Sequence, residues 1–506
     1  MDAWTPNSAG LAQDEPWELP EGWAWVPLKM LSNFIGRGRG PTYVEAGGVP
    51  VVNQKCIRWH RLEPRHLKLT SRDAFDRLPP ELYIRAGDLL WNSTGTGTIG
   101  RALIYDGSIA ELTVDSHVTI VRPSSIDPAY LGHFVETSRV QHLVVDGHVG
   151  STNQQELPRS FVEELIVPLA PLAEQRRIVA RIDGLFAEIA EGEAALEEAR
   201  RGLDTFRRAV LKAAVTGELT KDWRERNPVA ETGHDLVARM RGSMSKNKRL
   251  RTAWTPRTDL PELPDTWAWC AVHEAGDVQL GRQRAPQHHT GAHMRPYLRV
   301  ANVLEDRLDL SDVKLMNFTP EEFETFALKA GDVLLNEGQA PDLLGRPAMY
   351  RGEIEGCCFQ KTLLRFRASE LVDENFALLV FRHYMHSGRF KRESRITTNI
   401  GHLTQVRFVE MEFPIPPPAE VAVILRRVSE ALAASADTLA MLDAEAADAA
   451  RLKQSILKAA FEGHLVPQDP ADEPASAMLA RLRAANPPVA RIRRGRRKTV
   501  SEKAKS

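Results

Sequence analysis

Arginines beside glycines, and hydroxyl and amide side chains on glycine-rich turns, are the residues here best suited to chemistry. That chemistry is hydrogen bonding to phosphate oxygens and to the edges of bases. In the first third of the chain the richest segments are Arg37 and Arg39 around Gly38, then Lys55, Arg58 and Arg61. Next come Thr94, Thr96 and Thr98 in a run that ends at Arg101, and Ser151, Thr152, Asn153 and Gln154 after Gly150. A second set follows later: Arg282 and Arg284, Arg299 and Asn302, Gln339 and Arg346, then Arg395, Asn399 and His402. A single cation in such a set is ordinarily a solvated surface group. Clusters beside glycine are better candidates, because backbone without a Cβ approaches a phosphate closely.

Covalent and hydrolytic chemistry has no comparable set. The string Phe34-Ile35-Gly36-Arg37-Gly38 is like one found in S-adenosylmethionine-binding methyltransferases. It lacks the downstream Asn/Asp-Pro-Pro-aromatic partner that would stack on a flipped adenine, since Asn486-Pro487-Pro488 is followed by Val489. No Gly-Lys dipeptide occurs, so there is no P-loop. His288, His289 and His293 read as a polar loop, not as metal ligands, and no Ser-His-Asp or Cys-His arrangement can be assembled. We therefore expect no catalytic residue, no metal and no cofactor in this chain.

The 506 residues exceed one hydrophobic core, and a near-neutral total of −1 leaves room for a basic face. Four cysteines, Cys56, Cys270, Cys357 and Cys358, follow no metal-ligand spacing and suit a reducing cytoplasm. The N-terminus lacks a signal-peptide layout, and no apolar run approaches the ~18 residues of a membrane span.

What must position the candidate residues is a chain written twice. Leu19-Pro20-Glu21-Gly22-Trp23-Ala24-Trp25 returns as Leu263-Pro264-Asp265-Thr266-Trp267-Ala268-Trp269, shifted by 244. Ala86-Gly87-Asp88 returns as Ala330-Gly331-Asp332, and Leu211-Lys212-Ala213-Ala214 as Leu457-Lys458-Ala459-Ala460, the offset drifting only to 246. Each copy opens with short β-rich runs such as 49–52, 118–121 and 362–366, with Gly-Asp turns leading into strands. The tryptophan pairs read as strand residues that pack each domain.

Each copy then becomes a long helix. Glu174 to Val215 holds no proline, and apolar or small residues alternate in steps of four and three at Ile178, Ile182, Leu185, Ile189, Leu196, Ala199, Leu203, Phe206, Val210 and Ala213, with Gly192 on the seam between Ile189 and Leu196. The second copy keeps the register with Ile424, Val428, Leu442, Leu452 and Ile456, interrupted at Ser435 and Glu445. A seam of this length suits packing along another helix and docking of partner subunits. The rival expectation is that each helix packs only on its own domain.

Two further stretches carry a resemblance. The junction Phe161-Val162-Glu163-Glu164-Leu165-Ile166-Val167-Pro168-Leu169-Ala170-Pro171-Leu172-Ala173-Glu174-Gln175-Arg176-Arg177-Ile178-Val179, and the run Thr94-Gly95-Thr96-Gly97-Thr98-Ile99-Gly100-Arg101, resemble the specificity subunit of type I restriction–modification systems. Pro296 to Val303 is similar to it as well. The second junction departs, reading Ala419-Glu420-Val421 without the Gln-Arg-Arg, and 338–346 replaces the Thr-Gly run.

The resemblance implies an α+β fold: two pseudo-symmetric globular α/β target-recognition domains joined by two long helices that form an antiparallel coiled coil. The expected division is an extension at 1–20, a first domain at 21–170, and a helical spacer and linker at 171–250. A second domain at 251–417, a distal spacer at 418–485 and a basic tail at 486–506 complete it. Each domain would read half of a bipartite, asymmetric site in double-stranded DNA. The helices would set the gap and dock two modification subunits, which carry S-adenosylmethionine and methylate adenine N6. Restriction subunits bearing ATP and Mg would join them. The alternatives are a coiled-coil scaffold that never touches DNA, and a stand-alone bipartite repressor.

Overall fold

The computed structural model describes residues 17–148, 155–243, 254–397 and 400–485. The chain divides into two compact units, residues 1–195 with 445–506, and residues 196–444.

The first unit is built around a four-stranded antiparallel sheet in the order Ser32–Arg37, Val118–Pro123, Leu89–Asn92, Ala102–Ile104. A second four-stranded sheet carries Val49–Val52, which pairs antiparallel with Lys68–Thr70 and parallel with Thr113–Val114. The domain is closed by a strand pair from its two ends, Ala24–Pro27 against Ile166–Leu169. The second unit repeats this plan. Its main sheet runs Gly276–Leu280, Leu363–Ala368, Val333–Asn336, Pro347–Met349, and its closing pair is Ala268–Ala271 with Glu412–Ile415.

The repeated motifs have repeated structural roles. Each Gly-Asp turn places a buried aspartate where it accepts two hydrogen bonds from a strand arginine: Asp88 from Arg122, both at 2.8 Å, and Asp332 from Arg367, at 2.6 and 2.7 Å. Trp23 and Trp267 are buried, as expected of packing residues.

Two long helices follow the closing pairs, Leu172–Thr216 and Pro418–Phe461. At 45 and 44 residues, each spans roughly 65 Å at 1.5 Å per residue. Each begins in one unit and ends in the other. Within the first unit, Ile178 and Ile182 of the first helix share a core with Ile456, Leu457, Ala460 and Phe461 of the second. Within the second unit, Val210, Leu211 and Ala214 share a core with Ile424 and Val428. There the helices run antiparallel, with Arg200 reaching Asp443 at 2.6 Å beyond the Val210 and Val428 contacts. A helix confined to its own domain is thus not what forms.

Glycine explains how each helix ends. Gly217 (φ 79°) and Gly463 (φ 76°) both hold left-handed backbone. A Cβ on Gly217 would stand 2.6 Å from Pro264, and one on Gly463 would stand 2.2 Å from Pro20. Each helix end therefore abuts the Leu-Pro motif that opens the other copy's domain.

Part of the stretch read as helical spacer and linker also enters the core. Gly233–Ser243 is helical and buries Leu236, Val237 and Met240 in the second unit's core. Likewise Ala475–Ala485, placed in the distal spacer, packs Ala475 and Leu479 on the first unit's core. Residues 1–16 and 486–506 lie outside the described residues.

Candidate nucleic-acid interface

In the first unit the candidate residues collect at one end of the main sheet. The exit of strand Ser32–Arg37, the exit of Leu89–Asn92 and the entry of Val118–Pro123 are adjacent there. Gly38 N–H donates to Val118 O, Ser93 N–H to His117 O, and Gly95 N–H to Gln155 O. Arg39, Lys55, Arg61 and Thr96 are exposed. Thr94 Oγ1 lies 2.7 Å from His117 Nδ1, and Thr98 Oγ1 donates to Thr94 O, so the Thr-Gly loop is internally braced. Arg101 is half-buried.

Close packing underlies this edge. A Cβ on Gly38 would stand 2.2 Å from Val114 O, and one on Gly95 would stand 2.3 Å from Gln54 Oε1. Asp115, behind the loop, is raised by burial, and Tyr43 beside it is pushed up to about 12 by burial and that carboxylate.

The second unit has the corresponding edge, differently dressed. Arg284 and Gln283 are exposed, and Lys361 Nζ reaches Gln283 Oε1 at 3.4 Å. Gln339 and His402 face each other's strands in a small sheet of Gly338–Gln339, Ile400–His402 and Arg395–Thr397. His402 Nδ1 lies 3.5 Å from Glu337. The loops differ most where the two sequences differ most.

Several assignments need correction. Arg282 is buried, bonded to Glu322 and Asn317 O, and stacked over Phe318, so it braces the fold. Asn302 is buried, accepting from Arg299 N–H and donating to Asp309 O and Asp312 O. Arg37 is spent on Glu156 and Leu157 O, Arg299 on Asp312, and Arg58 on the carbonyls of Lys55 and Ile57. Arg346 is half-buried, and burial lowers its guanidinium. Ser151, Thr152, Asn153, Gln154 and Asn399 lie outside the described residues, as does the Arg395 side chain.

On the helices, Ile178, Ile182, Val210, Ile424, Val428 and Ile456 are buried within the units and offer a partner no surface. Leu185, Ile189, Leu196, Leu203 and Leu442 are half-buried. Leu452 is 51% exposed, which removes it from the seam. The neighbouring Lys453 faces the first helix instead, 2.8 Å from Glu193.

Sequence reasoning passed over His117, Gln54 and Lys361, which the topology brings to the same edges. They belong to no motif, and only their places beside strand ends could have found them. His288 and His289 sit in a polar loop, where His289 Nε2 accepts from Arg284.

Residues 37–198 match the family model for the type I restriction modification DNA specificity domain. The chain is 26% identical over 493 residues to the type I restriction enzyme StySPI specificity subunit of Salmonella potsdam, covering 92% of this chain and 96% of that one. It is 23% identical over 502 residues to the EcoKI specificity subunit of Escherichia coli K12, with the same coverage. A chain from a structure that describes complex assembly and conformational transition of the type I R-M system superposes with a TM-score of 0.61. It is 17% identical and covers 89% of this chain and 100% of that one, a likeness of fold.

Proposed function

Because this chain belongs to the family of type I restriction–modification specificity subunits, we propose that it selects DNA for partner enzymes and performs no chemistry itself. Each unit reads one half of a bipartite, asymmetric duplex site through the loop edge of its main sheet. The two long helices set the gap between half-sites, which is a geometric property of a rigid spacer. They also dock two modification subunits that carry S-adenosylmethionine and methylate adenine N6. Restriction subunits using ATP and Mg join that core, in the cytoplasm. No described helix is long and apolar enough to cross a membrane.

The observation that carries this reading is the repeated domain with unlike loops. Both main sheets share strand order and register, yet one edge presents Arg39, Lys55 and the Thr-Gly turn and the other presents Arg284, Gln339 and His402. A scaffold would have no need of two polar loop edges differing over one conserved plan. A stand-alone repressor would gain no DNA affinity from modification subunits.

The test is methylome sequencing of cells that express this chain with its neighbouring methyltransferase. A bipartite N6-methyladenine motif is expected. Exchanging residues 21–170 for another such domain should change one half-site only; change in both halves would contradict the modular reading.

A further inference from the structure

His60, His133 and Glu136 come together in the first unit, with one donor atom from each within 4.8 Å of the others. His133 and Glu136 are three apart on the helix Pro128–Glu136, and His60 tops the hairpin that joins Ile57–Arg58 to Arg61–Leu62. His60 holds a left-handed φ of 60°, a strained conformation for a residue with a Cβ and one that the surroundings must enforce. The side chain of His133 is more than nine-tenths buried. Its Nε2 lies 2.9 Å from Asp183 of the first long helix, while its Nδ1 is buried without any hydrogen-bond partner. Glu136 Oε2 stands 2.9 Å from His60 Nε2, yet it too is buried without a hydrogen bond of acceptable angle.

The second copy shows what this corner requires. His60 corresponds to Asp306, which has the same left-handed φ of 58°, and Glu136 corresponds to Arg382. Arg382 donates to Asp306 Oδ2 at 3.0 Å and to Glu305 Oε1 at 3.1 Å, while His386 lies 2.8 Å from Glu305. A permanent cation thus ties the hairpin to the helix there. In the first copy the arginine position holds a carboxylate, a second carboxylate comes from Asp183, and two imidazoles replace the remaining groups.

We propose that the corner formed by His60, His133 and Glu136 binds a divalent transition-metal ion, zinc by ligand type, which does for the first unit what Arg382 does for the second. Two imidazole nitrogens and one carboxylate oxygen are ligands that zinc accepts, with water completing a tetrahedron. Asp183 fills the supporting role, a carboxylate on the far nitrogen of a ligating histidine that fixes the ring and raises its basicity. The site is structural: it clips the hairpin 57–62, the helix Pro128–Glu136 and the start of the long helix together, behind the loop edge that carries Lys55.

The test uses untagged full-length chain equilibrated with Zn²⁺, desalted, and assayed for metal by mass spectrometry, beside His60→Ala and Glu136→Gln. His60 is half-exposed, so its truncation spares the core; Glu136→Gln keeps size and polarity. About one zinc per chain is expected in the wild type, with affinity lower by ~10-fold or more in each variant. Zn²⁺, but not Mg²⁺, should raise the thermal midpoint of the wild type and not of the variants, since a ligand that binds only the folded state stabilises it. Failure of the wild type to retain zinc, or equal retention by both variants, overturns the proposal and leaves two histidine–carboxylate pairs. DNA recognition by the complex is not the readout, so the outcome is independent of the proposed function.

Discussion

Trp23 donates its indole N–H to Oε2 of Glu174 at 2.9 Å, and Trp267 donates to Oε2 of Glu420 at the same distance. The duplicated Leu-Pro-x-x-Trp and Ala-Glu motifs are thus two halves of one buried hydrogen bond, pinning the start of each long helix to the strand that opens its domain. The second carboxylate oxygen differs. Glu420 Oε1 accepts from Thr220 and Arg224, whereas Glu174 Oε1 is buried without a partner. Val466 and Pro470 stand at the repeat positions of that threonine and arginine, and neither side chain can donate.

Removing the charge should therefore have opposite effects in the two copies. Burial raises the Glu174 carboxyl above its ordinary value, with Trp23 and then Arg177 opposing. The folded protein holds this proton more tightly than the unfolded chain does, so stability falls as pH rises through the window from the ordinary carboxylate value to the raised one. The penalty is absent below the ordinary carboxylate value and grows toward neutral pH. Glu174→Gln should raise the urea midpoint at pH 7, with the gain shrinking toward pH 4. Glu420→Gln strands the Arg224 guanidinium and should cost about 2–4 kcal/mol. Tryptophan fluorescence during urea unfolding reads both; equal effects would contradict the asymmetry.

Salt dependence separates surface cations from structural ones. Arg39→Ala and Lys55→Ala should each weaken duplex binding and reduce the slope of log K against log salt by about 0.9 for each lost phosphate contact. Arg282→Ala should leave that slope alone and instead lower the stability of the second unit by ~2–4 kcal/mol, since Glu322 loses its buried partner. Fluorescence anisotropy of the assembled complex at several salt concentrations makes the distinction.

The duplication, the strands at 49–52 and 118–121 and both long helices were legible because periodicity and repeat position survive in a single sequence. The interface was legible only as segments. Whether a loop arginine faces solvent depends on long-range partners: Arg39 and Arg282 occupy matching places after the first strand of each main sheet, yet Glu322 and Phe318 claim Arg282 from elsewhere in the fold. The seam failed at Leu452 for a related reason. Register tells which residues share a face, but Glu193 on the other helix decides that Lys453 turns inward. No local signal marked 233–243 as core, since its apolar residues meet strands that come later in sequence.

The thiols give a simple check on burial. Cys56, Cys270, Cys357 and Cys358 are all free and buried, and burial pushes Cys357 and Cys358 up to about 12 and raises Cys56 and Cys270 as well. A thiol that is both protonated and covered is a poor nucleophile. Native protein at pH 8 should release no thionitrobenzoate from Ellman's reagent over minutes, and denatured protein should release four equivalents. Rapid reaction of any native thiol would show that one of these cores opens.

The same contrast of covered and uncovered side chains bears on the proposal that the long helices dock modification subunits. Ile178 and Val428 are buried inside their units, but Phe206, Met441 and Leu452 on the long helices are 47%, 69% and 51% exposed. Large apolar side chains on a helix surface contribute little to the isolated chain, so replacing each with glutamine should shift stability by no more than about 0.5 kcal/mol. If these helices carry the modification subunits, burial of such side chains on assembly contributes affinity, and the loss of an anchor should weaken association by on the order of 1–3 kcal/mol. Ile178→Gln should do the reverse, unfolding the first unit by disrupting its core. Analytical ultracentrifugation of each variant with the methyltransferase subunit, alongside thermal melts, distinguishes the cases. Assembly unchanged by all three surface substitutions would move the docking surface off these helices and onto the domains.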